Sequence, residues 1–183
     1  MTRFRTAIAA AFLLTSAAAS LAANPDVGGA PMLETKNIVE NAVNSKDHTT
    51  LVAAVKAAGL VDTLMGAGPF TVFAPVNSAF DALPAGTVET LLKPENKATL
   101  TKILTCHVVA AKAMAADVMK MAMADGGMHE VTTVGGCKLQ LSEKDGKVMI
   151  KDEAGGTATV TIGDVVQSNG VIHVIDKVLL PKM

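Results

Sequence analysis

Two of the four imidazoles, two thiols and a cluster of thioethers beside a third imidazole are the groups with the clearest capacity to do more than carry solvated charge. His107 and His173 each sit in an apolar, β-prone run, Cys106-His107-Val108-Val109 and Val171-Ile172-His173-Val174-Ile175. An imidazole in such a run is expected to be buried and neutral, its ring nitrogens bonded to backbone or to a nearby carboxylate such as Asp176. No Ser or Cys motif of nucleophilic type accompanies either one, and nucleophile, base and orienter do not occur together. The chain is therefore expected to be non-enzymatic, with no catalytic residue and no cofactor. Cys106 adjoins His107, but neighbours in a strand point to opposite faces, which argues against a thiolate–imidazole pair.

Cys106 and Cys137 are the only cysteines. In an oxidising compartment they could form a disulfide contributing roughly 3 to 4 kcal/mol; two buried free thiols is the alternative. No second pair at ligand spacing supports a metal site there. Met114, Met119, Met121, Met123 and Met128, followed by His129, offer soft donors that could hold copper(I) in an exported protein. The competing reading of segment 114–129 is a Met-lined core or an adaptable partner surface. On a helix, Met119 and Met123 share a face while Met121 points away.

The elements that must position these groups begin after a leader. Residues 1–23 carry Arg3 and Arg5, an apolar run from Ala7 to Leu14, and small residues ending at Ala23, the layout of a secretory signal peptide too short to span a bilayer. The chain after it is expected to be secreted or periplasmic. Of 16 basic residues, losing Arg3 and Arg5 leaves 14, all Lys, against 17 acidic, a formal charge of −3. With no Arg, Trp or Tyr left, neither guanidinium forks nor stacking platforms for nucleic acid are present. Residues 24–34 are rich in turn formers and are expected to be a flexible spacer.

From residue 35 the pattern is helical. Ile38 to Val43 and Leu51 to Ala58 have helical spacing, and Gly59 is placed to stop the second helix. Gly66 and Gly68 then deliver the chain into a strand, Phe70 to Ala74. Phe70, Phe73 and Phe80 are the only aromatics beyond the leader, so they are expected near the core. Asn77 is placed to cap the helix that follows Pro75, and Asn169-Gly170 reads as a turn needing positive φ. Further helices are expected over 87–92, 95–105 and 115–123. Four short strands then alternate with Gly-containing turns between His129 and Ile162 as an antiparallel meander. Val171 to Ile175 and Lys177 to Leu180 fit a central strand pair buried on both faces. Helices in the first half and strands in the second make an α+β domain.

Three ordered segments carry a resemblance. Phe70-Thr71-Val72-Phe73-Ala74-Pro75-Val76-Asn77-Ser78-Ala79-Phe80 resembles the first signature box of the fasciclin-like (FAS1) domain, and Asn169-Gly170-Val171-Ile172-His173-Val174-Ile175-Asp176 through Pro181 resembles its second. Leu104 to Val109 is similar to the family's central Tyr-His segment, with Cys106 where Tyr is usual. The resemblance implies one FAS1 domain over 35–183, a wedge-like antiparallel β-sandwich with helices packed in the N-terminal half. It implies adhesion through a cell-surface, matrix or envelope partner, protein or glycan, rather than an enzyme. Carried over by position, the family's partner-contacting residues correspond to His107, Val108, Val109, Asp164 and Val165.

Overall fold

A computed structural model describes residues 24–182, so the leader expected over 1–23 lies outside the described residues. The elements in order are β1 (Asp26–Val27), β2 (Ala30–Pro31), α1 (Ile38–Ala42), α2 (Thr49–Ala58), α3 (Val61–Leu64), β3 (Phe70–Pro75), α4 (Asn77–Asp81), α5 (Thr87–Leu91), α6 (Lys97–Thr105), β4 (Val108–Val109), α7 (Ala115–Ala124), β5 (Met128–Thr132), β6 (Lys138–Lys144), β7 (Lys147–Lys151), β8 (Thr157–Gln167) and β9 (Gly170–Ile175). Local chemistry sets several boundaries. Asn37 and Glu40 form a reciprocal capping box that starts α1. Gly59, at φ 73°, ends α2 in the left-handed region. Asp145-Gly146, both at positive φ, turns β6 into β7.

Seven strands form one sheet in the order β4-β3-β9-β8-β7-β6-β5. Its centre is β3 beside β9, and all six residues of β9 are buried, as expected of a strand covered on both faces. The sheet is mixed: β3 and β9 run parallel, in register from Phe70↔Gly170 to Pro75↔Ile175, whereas the other neighbours are antiparallel. An all-antiparallel sheet is thus corrected at one pair, because the two boxes enter the sheet from the same end.

The pleat divides the core. Val72, Ala74, Ile172 and Val174 turn to the helices, meeting Ile38, Leu51, Val55 and Leu104. Phe73 and Ile175 turn the other way, meeting Leu139 and Leu141 of β6, Ile150 of β7 and Val118 of α7. Strand β8 carries register shifts between Val160 and Val165, and there it bends so that β5, β6 and β7 fold back over the central pair. The fold-back brings the two outer edges together. Val134 N–H donates to Val108 O at 2.7 Å and Gly135 N–H to Thr105 O at 3.0 Å. The Cys106–Cys137 disulfide staples that seam, which decides between the two readings of the cysteines.

Four expectations are corrected. Residues 24–34, expected as a spacer, form the β1–β2 hairpin with Val27 and Met32 buried. The hairpin is held by Lys46 N–H donating to Gly28 O and by Asn41, whose side chain bonds both backbone groups of Leu33. The turn formers that suggested flexibility are those a two-residue hairpin needs. Lys177 to Leu180 is not a strand, although Val178 and Leu179 are buried. Asn77 does not cap its own helix: its Oδ1 accepts from Thr50 N–H and Thr49 Oγ1, and its Nδ2 donates to Lys46 O, so it caps α2 from across the fold. Gly170 is not at positive φ; a Cβ there would lie 2.0 Å from Phe70 O, so glycine is needed for the close approach of β9 to β3.

Gly170→Ala is expected to destabilise by roughly 4 kcal/mol or more, because backbone rather than a flexible side chain occupies the space. Asn77→Ala is expected to cost about 1 to 2 kcal/mol through the lost cap. Urea unfolding measures both, and an alanine at 170 that leaves the midpoint unchanged contradicts the close-approach account.

Candidate interaction site

The positions that could meet a partner separate into buried and exposed sets. His107 and Val108 are buried and Val165 is fully buried, while Val109 and Asp164 are half-buried. What reaches solvent beside them is the loop between β4 and α7, where Ala110, Ala111 and Lys112 are all exposed.

That loop is held from below by three side chains. Thr71 Oγ1 donates to Ala111 O at 2.6 Å and accepts from Ala113 N–H at 2.9 Å. His173 Nε2 donates to Ala113 O at 2.8 Å. Asp164 Oδ1 accepts from Ala115 N–H at 2.7 Å, which places a carboxylate on the first turn of the ten-residue helix α7. Asp164 reaches there because it sits at the β8 irregularity with φ 58°, a left-handed conformation Asp tolerates. Its own N–H donates to His173 Nδ1 at 3.2 Å, so His173 links β8 to the loop with both nitrogens used. The ring also stacks on Phe73, centroids 5.8 Å apart.

His107 plays the equivalent part at the seam. Its Nδ1 donates to Ile103 O at 2.8 Å and its Nε2 accepts from Leu179 N–H at 2.9 Å, tying α6 to the C-terminal tail. Asp176, expected as an imidazole partner, instead accepts from Thr159 N–H at 2.7 Å and pairs with neither histidine. Burial drives the His107 pKa down to about 4, against the opposing pull of the Ile103 carbonyl and the charge of Asp152. The same cause lowers His48 and His173. His107 and His173 have both ring nitrogens engaged, whereas His48 bonds Ser45 through Nδ1 and leaves Nε2 buried without a hydrogen-bond partner among the described residues.

The methionines of 114–129 are divided. Met119 and Met121 pack on the second core cluster, whereas Met123 and Met128 are 68% and 55% exposed. His129 Nδ1 is held by Asp125 at 2.5 Å. Met121 thus does not point away from the Met119 face as helical spacing suggested. Among the described residues, no three His, Cys, Asp or Glu side chains converge on a metal-sized site. Nor is any described helix long and apolar enough to cross a membrane.

The signature positions Phe73, Pro75, Phe80, Asn169 and His173 are buried, and Phe70 packs on the first core cluster. Thr71, at the centre of the loop anchorage, was not singled out from sequence; the available signal was one hydroxyl inside an otherwise apolar strand.

A Fasciclin domain model matches residues 46–181. Protein sll1483 of Synechocystis sp. is 55% identical over 146 residues, covering 80% of this chain and 74% of that protein. Immunogenic protein MPB70 of Mycobacterium bovis is 37% identical over 145 residues, 76% of this chain and 66% of that one. Transforming growth factor-beta-induced protein ig-h3 of Sus scrofa is 37% identical over 131 residues, 72% of this chain but 17% of its own length. In fold, the chain is similar to a FAS1 domain pair from the insect cell adhesion molecule Fasciclin I, with TM-score 0.71 and 20% identity over 79% of this chain and 51% of that one.

A pH dependence follows from the buried imidazoles. An unfolded imidazole titrates near pH 6.5 and folded His107 near 4, so on acidification the unfolded chain takes up the proton first. Stability is full above about pH 6.5 and falls by roughly 3 kcal/mol from His107 alone by about pH 4, with His48 and His173 adding in the same direction. Urea midpoints across that window are expected to drop, and to drop less steeply in His107→Asn; a flat profile contradicts the assignment.

Proposed function

Because the chain belongs to the Fasciclin domain family, we propose that it is a secreted, non-enzymatic interaction module that adheres to a partner on a cell surface, matrix or envelope. The observation that carries this reading is the β4–α7 loop, three exposed residues fixed from beneath by Thr71, His173 and Asp164. A loop held before binding loses little conformational freedom on binding, the condition for a rigid recognition surface. In this reading Val109, Lys112 and the free carboxylate oxygen of Asp164 face the partner. His107, Val108 and Val165 act from within, holding the backbone that presents them. Protein and glycan partners both fit the small, singly charged tip Ala110-Ala111-Lys112.

Purified protein beginning at Asn24 is expected to bind saturably to native envelope or matrix preparations. Lys112→Glu should weaken binding about tenfold, the equivalent of ~1.4 kcal/mol, without moving the melting temperature. Thr71→Val should also weaken it while leaving the exposed side chains intact. Wild-type affinity in both variants, or no saturable binding across a broad panel of surfaces and glycans, overturns the proposal.

A further inference from the structure

The folded-back strands have a second face, turned away from the core. Leu139 of β6 and Ile150 of β7 point into the second core cluster, so Gln140 and Lys151, their neighbours in sequence, point the other way. The cross-strand register sets Glu130, Gln140 and Lys151 in one row across β5, β6 and β7. With the turn 153–155 and Lys182 of the C-terminal tail, that row lines an open groove of about 500 Å³. Small-molecule sites run from about 300 to 1,000 Å³.

Two carboxylates fix the walls of this groove before anything enters it. Buried Asp152 accepts from Gly156 N–H at 2.7 Å and from Leu180 N–H at 2.9 Å, one on each oxygen. Glu153 accepts from Lys138 N–H at 2.9 Å and from Lys182 N–H at 3.1 Å, again one on each oxygen. The start of β6, the turn after β7 and the C-terminal tail are thereby held together, and the groups they carry are positioned in advance.

The remaining polar groups are only partly used. Lys138 Nζ pairs with one oxygen of Glu130 at 3.0 Å, which leaves the other oxygen outside the pair. Lys151 and Lys182 are exposed and enter no ion pair among the described residues. The half-buried Gln140 amide has no hydrogen-bond partner among them either. Two ammoniums ask for an anion, whereas an amide and a spare carboxylate oxygen ask for hydroxyls that donate. A bare inorganic anion offers chiefly acceptor oxygens and would meet Glu130 with nothing to give it. Ala154 is the one apolar side chain among the lining residues, so a peptide finds no pocket for an apolar anchor, and no aromatic ring among them stacks a base.

We infer that this groove binds an acidic saccharide, a hexuronate whose carboxylate lies between the Lys151 and Lys182 ammoniums and whose ring hydroxyls bond the Gln140 amide and the spare Glu130 oxygen. The groove shares no residue with the β4–α7 loop and does not rest on the adhesion reading. Both cations are exposed and no ring stacks on the sugar, so binding is electrostatic in origin and weakens as salt is added.

Amide-resolved NMR of the protein beginning at Asn24, titrated with digalacturonate at low salt, tests it. The expected result is saturable shifts centred on Gln140, Lys151 and Gly155 that shrink on addition of sodium chloride. Binding should be roughly fivefold weaker or worse for cellobiose, which lacks the carboxylate, and for glutarate, which has two carboxylates but no hydroxyls. Lys151→Glu and Lys182→Glu, both exposed changes, should each weaken digalacturonate roughly fivefold or more at unchanged melting temperature, whereas Lys112→Glu should leave it unaffected. Gln140→Leu should erase the preference for digalacturonate over glutarate. Longer alginate fragments separate the sources of the uronate: tighter binding than digalacturonate assigns a polymer, and equal binding a free sugar acid. Absent or unsaturable shifts, equal or tighter binding of glutarate, cellobiose or hexaglutamate, or insensitivity to both lysine substitutions overturns the inference.

Discussion

The parallel pairing of β3 with β9 is the constraint on which the rest of the domain depends. It joins segments a hundred positions apart and leaves the Cβ side of Gly170 occupied by the Phe70 carbonyl. Because the pair is covered on both faces, the helices and the folded-back strands are alternative sides of one object. Val72 and Phe73, adjacent in sequence, belong to different cores. A slip of one residue would exchange those faces and lose both.

Polar side chains do the joining that hydrophobic contacts cannot specify. Buried Asn169, His107, His173 and Thr71, with half-buried Asn77, each bond backbone groups of a segment remote in sequence, and between them they fix α1, α2, α3, the β4–α7 loop and the C-terminal tail in place. Each is expensive to bury and becomes favourable only when all its partners are in place, so together they select one arrangement of apolar layers that could otherwise slide. This explains why the groups richest in chemical potential are here spent on architecture. Their reactivity has been exchanged for geometry.

Much of the fold was legible from residue pattern. Alternation marked β6 and β7, Gly59 marked the end of α2, and the two apolar runs around Phe73 and His173 were recognisable as partners in one core. What pattern could not reveal was any contact made across the fold. Asn77 stands where a local cap would stand, yet the helix it caps starts 28 positions earlier. Asn169-Gly170 has the composition of a turn, but its glycine answers to a neighbouring carbonyl. The hairpin at Asp26–Pro31 has the composition of a linker because turn residues look alike whether or not apolar neighbours such as Val27 and Met32 find a core. For the candidate site, residue pattern did not show that Val108 and Val165 are buried along with His107. Burial is a property of the assembled layers, and the exposed residues proved to be the alanines and lysine between them.

The place of β9 in the sheet sets a timetable. Made from its N-terminus, the chain has, among the described residues, every helix and eight of nine strands before Ile175 appears, yet until β9 is made β3 has only the two-residue β4 beside it in the sheet. Long-range pairing of this kind is slow, since the entropy of closing the loop is spent before the contacts form. A nascent chain of this design stays open until nearly all of it has emerged, and then completes both layers by inserting one strand. Such a chain remains threadable for as long as it is being made, and any chain cut short of residue 170 lacks the strand on which folding closes.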